Sequence, residues 1–144
     1  MAEAQAAARS EANPAPYLRI EVKKLCGAAG AQIGGVDLSK PLENDVIAEI
    51  RRAFVENCVI AFRGQSLTPR QQVDFTSIFG KVEQHPHYRT SAIDGFPEIL
   101  VLEHKAGQYF NGKNDIWHAD ITFIERPPLG SILHCLAAWE GYSD

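Results

Sequence analysis

From Asn44 to Asn57 the apolar residues Val46, Ile47, Ile50, Ala53 and Phe54 fall at i, i+1, i+4, i+7 and i+8. That spacing collects them on one stripe of an α-helix, with Asn44 as a plausible N-cap. A helix with one apolar stripe has to bury it against another layer. The four residues Val59 to Phe62 read as a short buried strand directly behind it. A second helix follows. Thr68 can cap it, Pro69 fits its first position, and Gln71 stands where a capping box needs a glutamine. Val73, Phe75, Ile78 and Phe79 supply its contacts and Gly80 ends it, so the two helices are expected over 44–57 and 69–79.

The rest of the chain carries the period of strands and the punctuation of turns. Leu18, Ile20 and Val22 alternate with Arg19, Glu21 and Lys23, which predicts a half-buried strand from about Tyr17. Gly27 to Gly35 holds four glycines, but at neither Walker nor Rossmann spacing, so a turn between short strands is the better reading than a phosphate loop. Glu98–Leu102, Ile116–Phe123 and Gly130–Leu136 read as strands, the last after an interruption at Pro127-Pro128. His85-Pro86-His87-Tyr88 reads as a loop and Ala106–Lys113 as a glycine-bearing connection. Residues 1–16 are small and polar and end Asn13-Pro14-Ala15-Pro16, which predicts a disordered arm. Helices come first and antiparallel β after them, with no repeating βαβ pattern.

Composition narrows the class of function. The apolar fraction of 45% over 144 residues is enough for a core, and a net charge of −4 with no basic run argues against a nucleic-acid partner. No segment reaches the roughly 20 apolar residues of a membrane span, and Met1–Ala8 lacks the form of a secretory signal. The expected compartment is the cytoplasm, with no membrane partner. Cys26, Cys58 and Cys135 are odd in number and widely spaced, which argues against a disulfide framework and excludes a zinc ribbon. Cys58, inside the apolar run to Phe62, reads as a small buried residue.

Chemistry concentrates in Trp117-His118-Ala119-Asp120-Ile121-Thr122-Phe123. On a strand, residues two apart share a face, so His118 and Asp120 would project together. An imidazole nitrogen and a carboxylate oxygen on one face are two parts of the 2-His-1-carboxylate triad that holds non-haem iron(II) and leaves positions open. The three-residue pattern alone also describes a surface strand bearing two polar side chains. Its surroundings say more. Asn114 to Phe123, followed by Pro127-Pro128-Leu129-Gly130, closely resembles the metal-binding stretch of the taurine dioxygenase family, which also includes dioxygenases of chlorophenoxyacetates and alkyl sulfates. Three more blocks resemble that family in order: Ile33 to Leu42, Val59 to Gln65 with Leu67-Thr68-Pro69, and Phe79-Gly80 leading to His85-Pro86.

The resemblance runs from about Tyr17 to Leu136 and implies a mainly β fold with flanking helices, the double-stranded β-helix or jelly roll. It implies iron(II) as metal, 2-oxoglutarate as co-substrate, dioxygen, and a small-molecule substrate, with a homo-oligomer left open. His118 and Asp120 match the ligands. His85, Tyr88 and Asn114 match positions that bind the sulfonate in the taurine-specific members. All three side chains can donate hydrogen bonds to an anionic oxygen. A sulfonate such as taurine, released as sulfite after hydroxylation, is the expected substrate. As residues of a loop and a turn, His85, His87, Tyr88 and Asn114 can also be plainly structural. Trp117 and Phe123 read as packing groups, and His104 and His134 have no matching functional position. The family's second histidine ligand and its carboxylate-binding and sulfonate-binding arginines lie far downstream, whereas this chain ends 24 residues after Asp120. Residues 17–144 are therefore expected to be the N-terminal part of such a domain, an incomplete jelly roll inactive on its own. A non-enzymatic truncated remnant and a zinc-binding jelly-roll module are the alternatives.

Overall fold

The computed structural model describes residues 15–86, 91–103 and 118–137. The expected arm at 1–16 falls almost wholly outside them, as do Ala106–Lys113, His87, Tyr88, His104, Asn114 and Trp117. The chain divides into two compact units, one formed by residues up to Val36 with Glu43–Arg63, the other by Asp37–Leu42 with Gly64 onward.

The first unit is a three-stranded sheet with one helix. Strand β1 (Glu21–Lys24) pairs antiparallel with β2 (Ala31–Gly34), Val22 opposite Ile33, and β2 pairs parallel with β3 (Ile60–Phe62), Ile33 opposite Phe62. A parallel pair needs a crossover connection, and helix α1 (Asn44–Asn57) supplies it, packing on β2 and β3. The sequence pattern places this helix at its observed residues. Ile50 and Ala53 are fully buried, and Ala31, Ile33 and Ile20 are buried with them. The N-cap is Glu43 rather than Asn44 and makes no side-chain cap bond. Strand β2 lies inside the glycine-rich stretch expected to be only a turn.

Two other expectations fail here, each for an identifiable reason. The first strand starts at Glu21, not Tyr17, because the amides before it are already engaged. Glu49 of α1 accepts from the backbone N–H groups of Leu18 (2.8 Å), Arg19 (2.9 Å) and Ile20 (3.2 Å). These bonds, led by the one from Leu18, hold the Glu49 carboxyl below its ordinary range. Arg52 lies 4.0 Å over the Tyr17 ring, and the Tyr17 hydroxyl donates to Glu56. Burial first, and the Glu56 carboxylate second, push Tyr17 up to about 12. Cys58 is exposed rather than buried, because it is the residue at which α1 stops. Its φ of 63° and ψ of −38° make it the centre of a γ-turn, in which the Val59 N–H donates to the Asn57 carbonyl at 2.7 Å, while its own N–H donates to the Phe54 carbonyl. The neighbouring Asn57 is the buried one, and its Nδ2 donates to the Ala53 carbonyl at 2.8 Å.

The second unit begins with a turn in which Asp37 accepts from the Ser39 amide (3.0 Å) and hydroxyl (2.6 Å) and pairs with Lys40 (2.9 Å). The Ser39 and Lys40 contacts pull Asp37 down to about 2. Helix α2 (Pro69–Ser77) carries the capping box read from the sequence: Thr68 Oγ1 accepts from the Gln71 amide, and Gln71 Oε1 accepts from the Thr68 amide at 2.8 Å. Gln71 Nε2 also donates to the Ser39 carbonyl at 2.7 Å. Phe75 is buried and meets Phe79 edge-on, ring centres 5.7 Å apart. The helix ends two residues short of its expected limit, in turns running to Gly80.

A hairpin follows, β4 (Ala92–Ile93) with β5 (Phe96–Leu100), and α2 packs on β5. The strand expected at Glu98–Leu102 thus lies two residues earlier. The turn at Asp94-Gly95, with Gly95 at φ 77°, fixes where it starts, and the Val101 amide bond to Ser91 marks its end. Gly130–Leu136 forms no strand, and Leu133 and Leu136 are largely exposed. Alternation marks a segment able to bury one face, but a strand also needs a paired neighbour, and none pairs with it among the described residues. Two small sheets and two helices are what the described residues show. No described helix is long and apolar enough to cross a membrane.

Candidate metal centre

The segment 118–123 departs from the expected strand. It runs irregularly at His118 and Ala119 and then turns over Asp120–Phe123. The break sits at Ile121, whose φ of 53° is a left-handed conformation. A β-branched side chain there is a true outlier, costing on the order of 1–3 kcal/mol, and it ends any alternation of faces. Phe123 is 63% exposed, against its reading as a packing group.

The two side chains nevertheless lie together ahead of that break. His118 Nε2 lies 3.3 Å from Asp120 Oδ1, with the side chains 47% and 59% exposed. The other oxygen, Oδ2, accepts from the Ser131 hydroxyl at 3.2 Å. The pair can be tested as a metal chelate by geometry alone. Two donors 3.3 Å apart, each at roughly 2.2 Å from one centre, subtend about 97° there. That is close to the right angle between neighbouring ligands of an octahedral ion, so the donor set fits a divalent metal with room for further ligands.

Among the described residues no third histidine, cysteine, aspartate or glutamate joins them. His134, eleven residues beyond Phe123, is half-buried and stands outside any such group. His85 occupies the irregular segment after α2 and is half-buried. Tyr88 and Asn114 lie outside the described residues. The residue that the sequence pattern does not single out is Ser131. It lies beyond the Pro127-Pro128-Leu129-Gly130 break, and only the return of the chain places it against Asp120.

Comparison with known proteins gives this geometry its context. The family model described as Taurine catabolism dioxygenase TauD, TfdA family matches residues 21–141. An alkylsulfatase of Acinetobacter baylyi is 35% identical over 122 residues, 84% of this chain and 37% of that protein. An alpha-ketoglutarate-dependent sulfate ester dioxygenase of Pseudomonas putida is 36% identical over 126 residues, 86% of this chain and 40% of that one. The crystal structure of a taurine dioxygenase from Burkholderia xenovorans superposes with a TM-score of 0.51 at 38% identity, covering 56% of this chain and 28% of that chain. The chain thus spans about two-fifths of the length of the curated relatives it matches.

Proposed function

This chain belongs to the taurine catabolism dioxygenase TauD, TfdA family, and from that premise we propose that His118 and Asp120 are two of the three protein ligands of an iron(II) centre in a 2-oxoglutarate-dependent dioxygenase. The observation that carries the reading is the 3.3 Å approach of His118 Nε2 to Asp120 Oδ1 inside the stretch that matches the family. The third ligand and the cation that anchors the 2-oxoglutarate carboxylate belong to residues downstream. Residues 17–144 are then the N-terminal part of a jelly-roll domain.

When bound, iron(II) would let dioxygen act as the oxidant, with 2-oxoglutarate supplying two electrons as it loses carbon dioxide to become succinate, so that one oxygen atom goes to succinate and the other to the substrate. The protein's part is to hold and orient. His118 offers a neutral nitrogen and Asp120 one carboxylate oxygen on adjacent positions, which leaves neighbouring positions to a chelating keto acid. His85, Tyr88 and Asn114 are proposed to donate hydrogen bonds to an anionic sulfur oxyanion, and so to set the carbon beside the sulfur group toward the metal.

The substrate is then a small sulfonate or sulfate ester, with taurine as the sulfonate first in line. Hydroxylating the carbon next to a sulfonate releases sulfite and an aldehyde, and hydroxylating the carbon that bears a sulfate ester releases sulfate and an aldehyde. The two curated relatives, named for sulfate ester chemistry, favour testing both. A chimera in which residues 21–141 replace the matching stretch of the Pseudomonas putida enzyme supplies the downstream residues. With iron(II), 2-oxoglutarate and ascorbate it is expected to form succinate with taurine or an alkyl sulfate, and His118→Ala to abolish this. Turnover only with aryloxyacetates would overturn the substrate class. A folded chimera inert toward every substrate, beside an active parent, would overturn the enzymatic reading.

A further inference from the structure

We propose that Ser131 is a positioning residue for the metal centre, fixing the rotation of the Asp120 carboxylate so that Oδ1 faces His118. The inference rests on the metal reading of His118 and Asp120. An aspartate side chain turns freely about its last bond, because that torsion has broad, roughly two-fold wells. Asp120 is 59% exposed, so burial does not stop the rotation. The Ser131 hydroxyl does, by donating one hydrogen bond to Oδ2 at 3.2 Å. With Oδ2 engaged, Oδ1 is the oxygen left at 3.3 Å from His118 Nε2, ready for one-oxygen ligation at a right angle to the imidazole.

The backbone arrangement supports a role in placing the carboxylate. The left-handed Ile121 turns the chain immediately after Asp120, and Pro127-Pro128-Leu129-Gly130 returns it so that Ser131 meets the carboxylate. Neither Ser131 nor Asp120 is buried, so the contact adds little to packing. At 3.2 Å the bond is longer than the usual hydroxyl–oxygen distance of about 2.7–2.8 Å. Its loss should therefore weaken metal binding rather than abolish it, near the lower end of the roughly 10–100-fold that partners of metal ligands contribute.

The test uses the whole 144-residue chain with cobalt(II) as probe, comparing it with Ser131→Ala and Ser131→Thr, with circular dichroism confirming that each is folded. Ser131→Ala should raise the cobalt(II) Kd about 10-fold, and in the metal-free protein at fixed pH it should shift the Asp120 ¹³Cγ resonance. Ser131→Thr, which keeps the hydroxyl, should restore both. An unmoved Asp120 resonance in Ser131→Ala overturns the contact. A moved resonance with cobalt(II) affinity within two-fold of the parent, or failure of threonine to rescue, overturns the positioning role. No cobalt(II) binding by the unsubstituted chain, with the resonance shift present, overturns the metal reading itself and with it this role.

Discussion

Replacing Ile50 with alanine removes the largest fully buried side chain of the described structure, at 0% exposure, from the seam between α1 and the sheet. Three carbon atoms are lost, worth roughly 2.4 kcal/mol at about 0.8 kcal/mol for each buried methylene. The neighbours Ala31 and Ala53 are small and equally buried, so they have little side chain with which to fill the gap. A residual cavity therefore adds to the loss, and the total should be about 3–4 kcal/mol, inside the usual span for such truncations. That is a large share of the stability of a small domain. Val55 on the same helix is the control, because it is 79% exposed. Val55→Ala should stay within about 0.5 kcal/mol of the parent. Urea unfolding followed by the helical circular dichroism band reads both variants. If Ile50→Ala lies within about 0.5 kcal/mol of the parent, or Val55→Ala costs as much, the assignment of this core is wrong.

Thr68→Ala should destabilise α2 by roughly 0.5–2 kcal/mol, since it removes the hydroxyl of the capping box, and Thr68→Ser should recover most of it; urea melts of the three proteins check this. Asp37 has its folded pKa depressed to about 2 by Ser39 and Lys40, so its contribution to stability is present above the ordinary carboxylate range and is lost as pH falls toward 2. Asp37→Asn should flatten the fall in stability between about pH 4 and about pH 2, and an unchanged acid limb would show that the turn is not formed in solution. Tyr17 runs the other way at the alkaline end: its folded pKa is raised to about 12, so its contribution is present below 10 and is lost as pH rises between about 10 and 12. Tyr17→Phe keeps the ring under Arg52 and should remove that alkaline dependence in melts across the range.

What could be read in advance was whatever is encoded locally. The stripe Val46 to Phe54 fixes α1 to the residue, and Thr68, Pro69 and Gln71 fix the start of α2, because helix bonds and caps join residues three or four apart. Strand ends depend on distant partners. Glu49 takes the amides of Leu18 to Ile20 out of the first strand, and the Asp94-Gly95 turn moves β5 two residues forward. The parallel pairing of β2 with β3 was equally hidden, since neither strand carries its partner's address. At the candidate centre, the two-residue spacing points to His118 and Asp120 projecting together, and they lie 3.3 Å apart, but the strand expected to run on to Phe123 gives way to a turn over Asp120–Phe123. Ser131 had no local signal, because its contact with Asp120 spans eleven residues and a proline pair.

Anaerobic iron(II) titration of the 144-residue chain, followed by calorimetry, bears most directly on the two-ligand centre. The expected result is one weak site, weakened by more than about tenfold in each of His118→Ala and Asp120→Ala, since each removes a donor outright and not merely a donor's partner. His134→Ala, on the segment after the proline pair, should bind as the parent does. Parent-like iron(II) binding in His118→Ala and Asp120→Ala, or its loss in His134→Ala, would contradict the centre proposed for this chain.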